Sequence, residues 1–186
     1  MDDLVKQAML KWPNVPDCYG WLGLDARGNW YMRDDRAQAQ GDFASRIPDV
    51  KGSLLKHEKL IDFIQRNYAC DAQGQWYFQN GPQRVYVELE ATPWIWRISD
   101  CLQITAHDGR NVVFRAAKVD ETGWLYLETS LGFGLVHTQD VAQAAIAVES
   151  GQWEVSELTR LLLPKTYCYV ASPQARQRSG GKPDRT

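Results

Sequence analysis

One short phrase recurs along the chain and constrains its fold more than any other feature. Each copy places an aspartate three positions before a glycine, and aromatic residues follow: Asp25-Ala-Arg-Gly28-Asn-Trp30-Tyr31, Asp71-Ala-Gln-Gly74-Gln-Trp76-Tyr77 and Asp120-Glu-Thr-Gly123-Trp124-Leu125-Tyr126. Aspartate can bond the backbone ahead of it, glycine accepts a positive φ, and aromatic side chains favour strands. Each copy is therefore predicted to be a turn that opens a strand, with a shorter echo at Gly151-Gln-Trp153.

Two intervals between these copies contain the same order of elements. Apolar residues recur at helical spacing from Ser53 to Asn67 and from Thr138 to Glu149, and both segments start with a residue suited to N-capping. The repeated unit is then strand, loop, helix, strand. We predict an α+β fold of two similar subdomains, each a small, mainly antiparallel sheet with a packed helix.

The predicted organisation has four parts. Residues 1–19 form an N-terminal helix and connector, 20–83 the first α+β unit, 84–171 the second, and 172–186 a flexible basic tail. The helix is expected from Asp2 to Trp12, where Pro13 ends it. The tail has too few apolar residues to order itself.

Three other segments are assigned from their composition. The polar stretch from Arg33 to Gly41 is predicted to be a solvated loop. From Arg84 apolar and polar residues alternate, which predicts a half-buried strand with Glu88 and Glu90 on its solvent-exposed face. A last strand is expected at residues 167–170.

Composition excludes several functional classes. The chain has 186 residues, 44% of them hydrophobic and 24% charged, as in soluble globular proteins, and no apolar run approaches a membrane span. Its start is acidic rather than basic, so we expect a cytoplasmic protein with no membrane partner. The net charge of −2 provides no general field for nucleic acid. A nucleic-acid contact is left open only for the basic tail residues Arg176, Arg178, Lys182 and Arg185.

No residue pattern predicts catalysis, a metal or a cofactor. The cysteines and histidines are scattered without the close spacing of a metal or redox site: Cys18, Cys70, Cys101, Cys168, His57, His107 and His137. Motifs of serine hydrolases, zinc proteases and phosphate-binding loops are absent from the sequence. Glu88 and Glu90 share a strand face, but solvated carboxylates are commoner there than an acid–base pair. We predict a protein that is not an enzyme.

Five residues near the junction of the two predicted units are the candidates for ligand binding: Arg84, Tyr86, Trp94, Trp96 and Arg97. Flat aromatic rings stack on bases or sugars, and arginine pairs with phosphate, so a nucleotide-like ligand suits them. The competing interpretation is that Trp94 and Trp96 pack in the core. Two further alternatives are a homo-oligomeric structural or interaction protein and a carbohydrate-binding protein.

The layout also resembles a bacterial family of unknown function. The resemblance lies in the order of elements and in the segment from Gln83 to Trp94, whose end, Glu90-Ala91-Thr92-Pro93-Trp94, is similar to an acidic-Ala-Pro-aromatic phrase of that family with one extra residue. It covers roughly Gly20 to Leu163. It implies a duplicated α+β layout, a second subdomain similar to pleckstrin-homology folds, and a ligand site between the subdomains that serves signalling.

Overall fold

The chain divides into two units, which are described separately. The computed structural model describes residues 1–45 and 47–180. The first unit comprises Met1–Asp25, Asn29–Glu90 and the C-terminal stretch from Val170, and the second comprises Ala26–Gly28 and Ala91–Tyr169. Each unit contains one mostly antiparallel sheet and helices. The predicted α+β class is therefore confirmed.

The first unit is built on a sheet of six strands in the order β3-β2-β1-β6-β5-β4. The strands are β1 (Cys18–Leu24), β2 (Trp30–Met32), β3 (Ser53–Leu54), β4 (Tyr68–Cys70), β5 (Trp76–Asn80) and β6 (Gln83–Leu89). Its helices are α1 (Asp3–Lys11), α2 (Asp35–Gln40) and α3 (Glu58–Arg66), together with α6 (Pro173–Gly180) from the end of the chain. Side chains such as Leu24, Phe43, Ile64 and Leu89 are almost fully buried and form the core of this unit.

The second unit is built on a sheet of seven strands in the order β13-β10-β11-β12-β7-β8-β9. The strands are β7 (Trp94–Ile98), β8 (Ile104–Ala106), β9 (Asn111–Val112), β10 (Phe114–Asp120), β11 (Leu125–Thr129), β12 (Gly132–Val136) and β13 (Val155–Leu158). A 3-10 turn (Thr138–Asp140) leads into α4 (Val141–Glu149), and a second 3-10 turn (Arg160–Leu162) precedes α5 (Leu163–Thr166). Ile95, Trp96, Leu127 and Ala144 are fully buried in its core.

The two sheets share one topology. In the first, two three-stranded antiparallel meanders, β1-β2-β3 and β4-β5-β6, join through a parallel pair of β1 with β6. In the second, the meanders β7-β8-β9 and β10-β11-β12 join through a parallel pair of β7 with β12, and β13 is added beyond β10. The predicted similarity of the two subdomains is thus found in their strand order.

The repeated phrase forms turns between strands, as predicted. Gly28, Gly74 and Gly123 have φ values of 79°, 80° and 82°, which favour glycine. The second and third copies lie at equivalent places, between the first two strands of the second meander of each unit. In the second copy the Asp71 carboxylate accepts hydrogen bonds from the backbone N–H groups of Gln73 and Gln75 at 2.9 Å.

The helices follow the duplication less closely than the strands. α3 begins at Glu58 with His57 as its N-cap, and Ser53 lies in β3 instead. α4 begins after a 3-10 turn. In the order of elements α3 joins the two meanders of its sheet, whereas α4 follows the sixth strand of the other. The prediction that these two helices occupy equivalent places was therefore wrong.

The segment predicted to be a solvated loop is partly helical and contains a buried cation. Residues 35–40 form α2, and Arg33 before it is fully buried. Its guanidinium donates to the backbone carbonyls of Gly41 at 2.6 Å and Val50 at 3.1 Å, which organises the chain between α2 and β3. Burial lowers the pKa of Arg33 from its ordinary value.

Residues 172–180 of the predicted flexible tail are anchored to the first unit. Glu88 on β6 is almost fully buried, so the prediction that it lies on a solvent-exposed face of the strand was wrong. Its carboxylate accepts hydrogen bonds from the Ser172 hydroxyl at 2.5 Å and from the Gln174 backbone N–H at 3.0 Å, at the start of α6. Arg176 and Arg178 lie on this helix, whereas Lys182 and Arg185 fall outside the described residues.

Two other predicted boundaries differ from the structure. β6 pairs with β1 and β5, so the chain leaves the first unit after Glu90 rather than at residue 83. Residues 167–170 follow α5 and form no strand. Cys168 there has a φ of 53°, which takes its backbone out of the extended conformation.

Candidate functional site

A cavity of the first unit lies beside α1. It has a volume of about 860 Å³ and is bounded by α1, by the connector of residues 12–17 and by the edge of β5 and β6. Apolar walls come from Met9, Trp12 and Pro82, and polar walls from Lys6, Asn14, Asp17, Gln79 and Arg84. This combination of a mostly apolar surface and a few polar groups is typical of small-molecule sites.

Hydrogen bonds hold the walls of this cavity in place. The Asp2 backbone N–H donates to the Asn67 side chain at 2.8 Å, which attaches α1 to the end of α3. The Gln83 side chain donates to the Pro16 carbonyl at 3.0 Å, which ties the connector to β6. The connector therefore has a defined path although it contains neither helix nor strand.

Two cations line the cavity. Arg84 is half-buried, and its guanidinium carbon lies 4.9 Å from the centre of the Tyr77 ring. A hydrogen bond with Tyr86 raises the pKa of Arg84, so this arginine is charged at every physiological pH. Lys6 is exposed and lies 2.9 Å from a carboxylate oxygen of Asp3. Both side chains are suited to binding an anion.

Tyr86 is part of the support behind Arg84. Its ring is 3% exposed and stacks on Tyr19 with 4.6 Å between ring centres. Its hydroxyl donates to the Asp71 carboxylate at 3.1 Å, and burial raises the pKa of Tyr86 to about 12. Burial alone would raise the pKa of Asp71, but the hydrogen bonds from Gln75, Gln73 and Tyr86 outweigh it and the pKa lies below its ordinary value. The repeated phrase thus fixes the tyrosine that supports Arg84.

Trp94 and Trp96 lie in the core of the second unit. Trp94 is 4% exposed and Trp96 is fully buried, and their ring centres lie 6.1 Å apart. The Trp96 indole N–H donates to the Leu127 carbonyl at 3.0 Å. A Cβ atom added at Gly134 would lie 2.4 Å from the Trp94 carbonyl oxygen, so the neighbouring strand approaches as closely as glycine allows. These rings have the positions expected from the competing core interpretation.

Arg97 forms an ion pair within the second unit. Its guanidinium donates to both oxygens of Asp140, at 2.5 Å and 3.2 Å, and Asp140 also accepts from the Ile98 backbone N–H at 3.0 Å. The hydrogen bond to Asp140 raises the pKa of Arg97. Burial alone would raise the pKa of Asp140, but the bond from Arg97 reverses this and lowers it. The pair fixes the start of α4 against β7.

The structure therefore brings together two of the five predicted ligand residues, Arg84 and Tyr86, on β6 of the first unit. Sequence reasoning missed the other wall residues, among them Lys6 and Trp12. One signal was present: Trp12 is followed by a connector with prolines at positions 13 and 16, which restricts its conformation.

The two carboxylates that the sequence places on one strand face both make contacts within the first unit. Glu88 binds the start of α6, and Glu90 pairs with Lys51 at 2.7 Å. In the part of the chain that the structure describes, no group of three histidine, cysteine or acidic side chains could hold a metal ion. None of the helices in residues 1–45 and 47–180 has the length and apolar character needed to cross a bilayer.

The comparison with protein families agrees with the predicted resemblance to an uncharacterised family. No curated protein matches the chain. The crystal structure of a DUF1285 family protein from Silicibacter pomeroyi DSS-3 is similar, with 12% identity, a TM-score of 0.47 and coverage of 77% of this chain and 83% of that one. The family model DUF2944, described as "Protein of unknown function (DUF2946)", matches residues 1–177. Since this match spans most of the sequence, the chain belongs to that family of proteins of unknown function.

Proposed function

We propose that the chain is a non-catalytic, ligand-responsive module whose first unit binds a nucleotide-like small molecule in the cavity beside α1. The observation that supports this most is the cavity itself, about 860 Å³ with two cations and an exposed tryptophan on its walls. A ligand of this class combines a flat ring with an anionic group. The proposal keeps the ligand class predicted from the sequence and assigns it to a site within one unit.

The size of the cavity supports a ligand of this kind. Pockets for small molecules in proteins commonly enclose about 300–1,000 Å³, and this cavity lies within that range. Its apolar wall includes Trp12, which is 52% exposed and so offers a ring face for stacking. Stacking of a base on an aromatic side chain is worth about 1–3 kcal/mol.

The charges on the walls support an anionic group on the ligand. Arg84 and Lys6 supply donors, and the guanidinium of Arg84 is held in place by Tyr77 and Tyr86. A fixed guanidinium binds phosphate with two parallel hydrogen bonds at low entropic cost. Asp17 on the same wall disfavours a second anion nearby, so we expect one phosphate rather than a polyphosphate.

The non-catalytic part of the proposal rests on the surroundings of the cavity. Its charged wall side chains are the two cations Lys6 and Arg84 and the acid Asp17, and none of these three is a nucleophile paired with a base. A role in signalling and a pleckstrin-homology-like second unit, which the family resemblance implies, stay predictions.

Calorimetric titration tests the proposal. Adenosine, guanosine, cytidine and uridine monophosphates are titrated into the protein, with the nucleosides and inorganic phosphate as partial ligands. We expect saturable binding of at least one nucleotide and much weaker binding of its two parts. Arg84→Gln should weaken it about 10- to 100-fold, since a hydrogen bond to a charged group is worth about 1.5–3 kcal/mol.

Matched variants separate the cavity from general charge effects. Arg36→Gln removes an exposed arginine on α2 that does not line the cavity, and it should bind as the wild type does. Trp12→Ala should weaken nucleotide binding but leave binding of inorganic phosphate unchanged. If the Arg84 and Arg36 variants lose nucleotide affinity equally, the effect comes from net charge alone, which would contradict a binding site in the cavity beside α1.

The same experiment addresses the alternatives from the sequence. If the chain is a homo-oligomeric interaction protein without a small ligand, nucleotides should give no heat of binding. Its elution volume in size-exclusion chromatography should then depend on protein concentration. A carbohydrate-binding protein predicts that neutral sugars bind and that the phosphate contributes nothing. Either result would replace the proposal.

A further inference from the structure

A second pocket lies on the face of the first sheet that α3 covers. It has a volume of about 240 Å³, and six of its wall residues are Leu22, Met32, Leu60, Phe63, Phe78 and Val85. Phe78 and Val85 are paired across β5 and β6, next to the pair of Gln79 and Arg84. Because neighbouring residues of a strand point to opposite faces, this pocket and the cavity beside α1 lie on opposite faces of the same two strands.

An irregularity in β1 lies on the wall of this pocket. Cys18 pairs with Val85 and Leu22 pairs with Val87, so four residue steps on β1 face two on β6. Bulges of this kind redirect side chains and occur often beside functional sites. Here the bulged segment contributes Trp21, which lies on the pocket wall and is 42% exposed.

The irregularity is held in place by tight packing. Gly20 has a φ of 80°, and a Cβ atom there would lie 2.2 Å from the Gln174 side-chain nitrogen and 2.6 Å from the Gln38 oxygen. Gln174 donates to Gln38 at 2.7 Å, which joins α6 to α2 over this glycine. The bulge is therefore a defined feature of the fold.

The chemistry of the walls selects an apolar ligand. Burial raises the pKa of the Cys18 thiol, so this wall stays neutral, and a neutral cysteine behaves as a small apolar side chain. Asn80 supplies the polar side chain of the wall and is exposed at the surface. Met32 and Trp21 are 48% and 42% exposed, so the pocket has an apolar mouth that is open to water.

We propose that this pocket binds an unbranched alkyl chain whose polar end lies near Asn80. A volume of about 240 Å³ accommodates about eight methylene groups at roughly 30 Å³ each, the volume that a similarly sized water molecule occupies in the liquid. Since no cation lies on the wall, the site recognises the chain rather than the charge of its head group. This site is independent of the nucleotide proposal.

Methionine methyl NMR tests the proposal directly. The sequence contains three methionines: Met32 lines the alkyl pocket, and Met1 and Met9 line the cavity beside α1. Octanoate and 1-octanol are titrated separately into the full chain labelled with [methyl-¹³C]methionine. We expect a saturable shift of the Met32 methyl signal with both compounds, with dissociation constants within about threefold of each other, and unchanged signals from Met1 and Met9.

Variants link the signal to the pocket. Leu60→Trp fills the mouth from α3 and should weaken binding of octanoate at least tenfold. Leu54→Trp, at an exposed leucine of β3 that is not on the wall, should bind as the wild type does. Arg84→Gln should leave octanoate binding unchanged, so failure of the nucleotide site and failure of this one are distinguishable.

Three results would overturn the proposal: no saturable Met32 shift below the aggregation concentration of the ligand, equal shifts of all three methyl signals, or equal octanoate affinity in the Leu60 and Leu54 variants. Binding of octanoate without octanol would replace chain recognition with recognition of the carboxylate. If Leu60→Trp does not fold, the Met32 titration of the wild type still decides between these results.

Discussion

Glu88→Ala should detach α6 from the first unit and lower its stability. Glu88 is 1% exposed, and its carboxylate accepts from Ser172 and Gln174 at 2.5 Å and 3.0 Å. Burial raises the pKa of Glu88, and the two hydrogen bonds and the charge of Arg33 offset part of that effect. The substitution removes both acceptors and the counter-charge of a buried guanidinium.

The expected loss follows from these contacts. Breaking a buried charged pair from one side costs about 3–5 kcal/mol, because the remaining groups stay buried without their partner. Glu88→Gln keeps the shape and one good acceptor, so we expect a smaller loss of about 1–2 kcal/mol. Glu90→Gln is the matched control: its ion pair with Lys51 is partly exposed, and the loss should stay below about 1 kcal/mol.

Urea denaturation and amide hydrogen exchange measure the two consequences. Glu88→Ala should lower the free energy of unfolding by the stated amount and speed exchange in residues 173–180. A chain that ends at residue 171 provides the second arm of a double-mutant cycle. There Glu88 has lost both donors but keeps its charge interaction with Arg33, so Glu88→Ala should cost less than it does in the full chain.

The pH dependence has a defined sign. Because the pKa of Glu88 is higher in the folded state than the ordinary value of 4.5, the folded state binds this proton more tightly. The stability that Glu88 contributes through this pKa difference is fully present below pH 4.5 and is lost as the pH rises through the folded-state pKa. In Glu88→Gln, which does not titrate, this pH dependence should be absent. An alanine variant as stable as the wild type, with α6 still protected, would refute the anchoring role.

Three further predictions follow from single residues. Gly123→Ala should lower the free energy of unfolding, measured by thermal denaturation, by about 1 kcal/mol, because the φ of 82° is strained for alanine. Since no atom lies within 4 Å of the new methyl group, this cost comes from the backbone alone. Gly180→Ala is the control: this glycine lies in open space without a positive φ, so the substitution should be neutral. Gly134→Ala should cost more than Gly123→Ala, since its Cβ would meet the Trp94 carbonyl at 2.4 Å, and an equal cost would contradict the close strand approach. Burial lowers the pKa of His107 from 6.5 to about 4, so stability should fall by up to about 3 kcal/mol as the pH drops from 6.5 to 4; a slope that persists in His107→Gln would exclude this histidine as its cause.

Local patterns predicted the turns of the repeated phrase. The phrase around Gly74 and Gly123 depends on residues four positions apart, and the structure has both glycines at the predicted positive φ. The α+β class and the similarity of the subdomains follow from the same repetition. The predicted helix start at Ser53 was wrong, because Ser53 pairs with Met32 across β2 and β3 and His57 caps α3 instead.

Long-range contacts account for most of what the sequence did not predict. The partners of Glu88 lie 84 and 86 residues further along the chain, so no local pattern distinguishes this carboxylate from a solvated one. The tail was predicted to be flexible from its own composition, and the contacts that anchor residues 172–180 come from Glu88, far away in the sequence. The buried place of Arg33 likewise depends on carbonyls that come together only after folding.

The candidate site was predicted in part. Arg84 and Tyr86 were selected for their chemistry, and the structure has them beside or behind the cavity of the first unit. Trp94 and Trp96 have the same chemistry, but their strand is covered on both faces, which alternation along a single strand does not reveal. Lys6 and Trp12 were missed because the path of the connector depends on Gln83, about 70 positions away.

The most direct test of the central claim is a nucleotide titration followed by the methyl signals of the three methionines. If a nucleoside monophosphate binds beside α1, the Met9 signal shifts with saturation, the Met32 signal stays in place, and Arg84→Gln weakens the effect about 10- to 100-fold. If nucleotides bind without shifting Met9, or if none binds at all, the cavity beside α1 is not the ligand site of this protein.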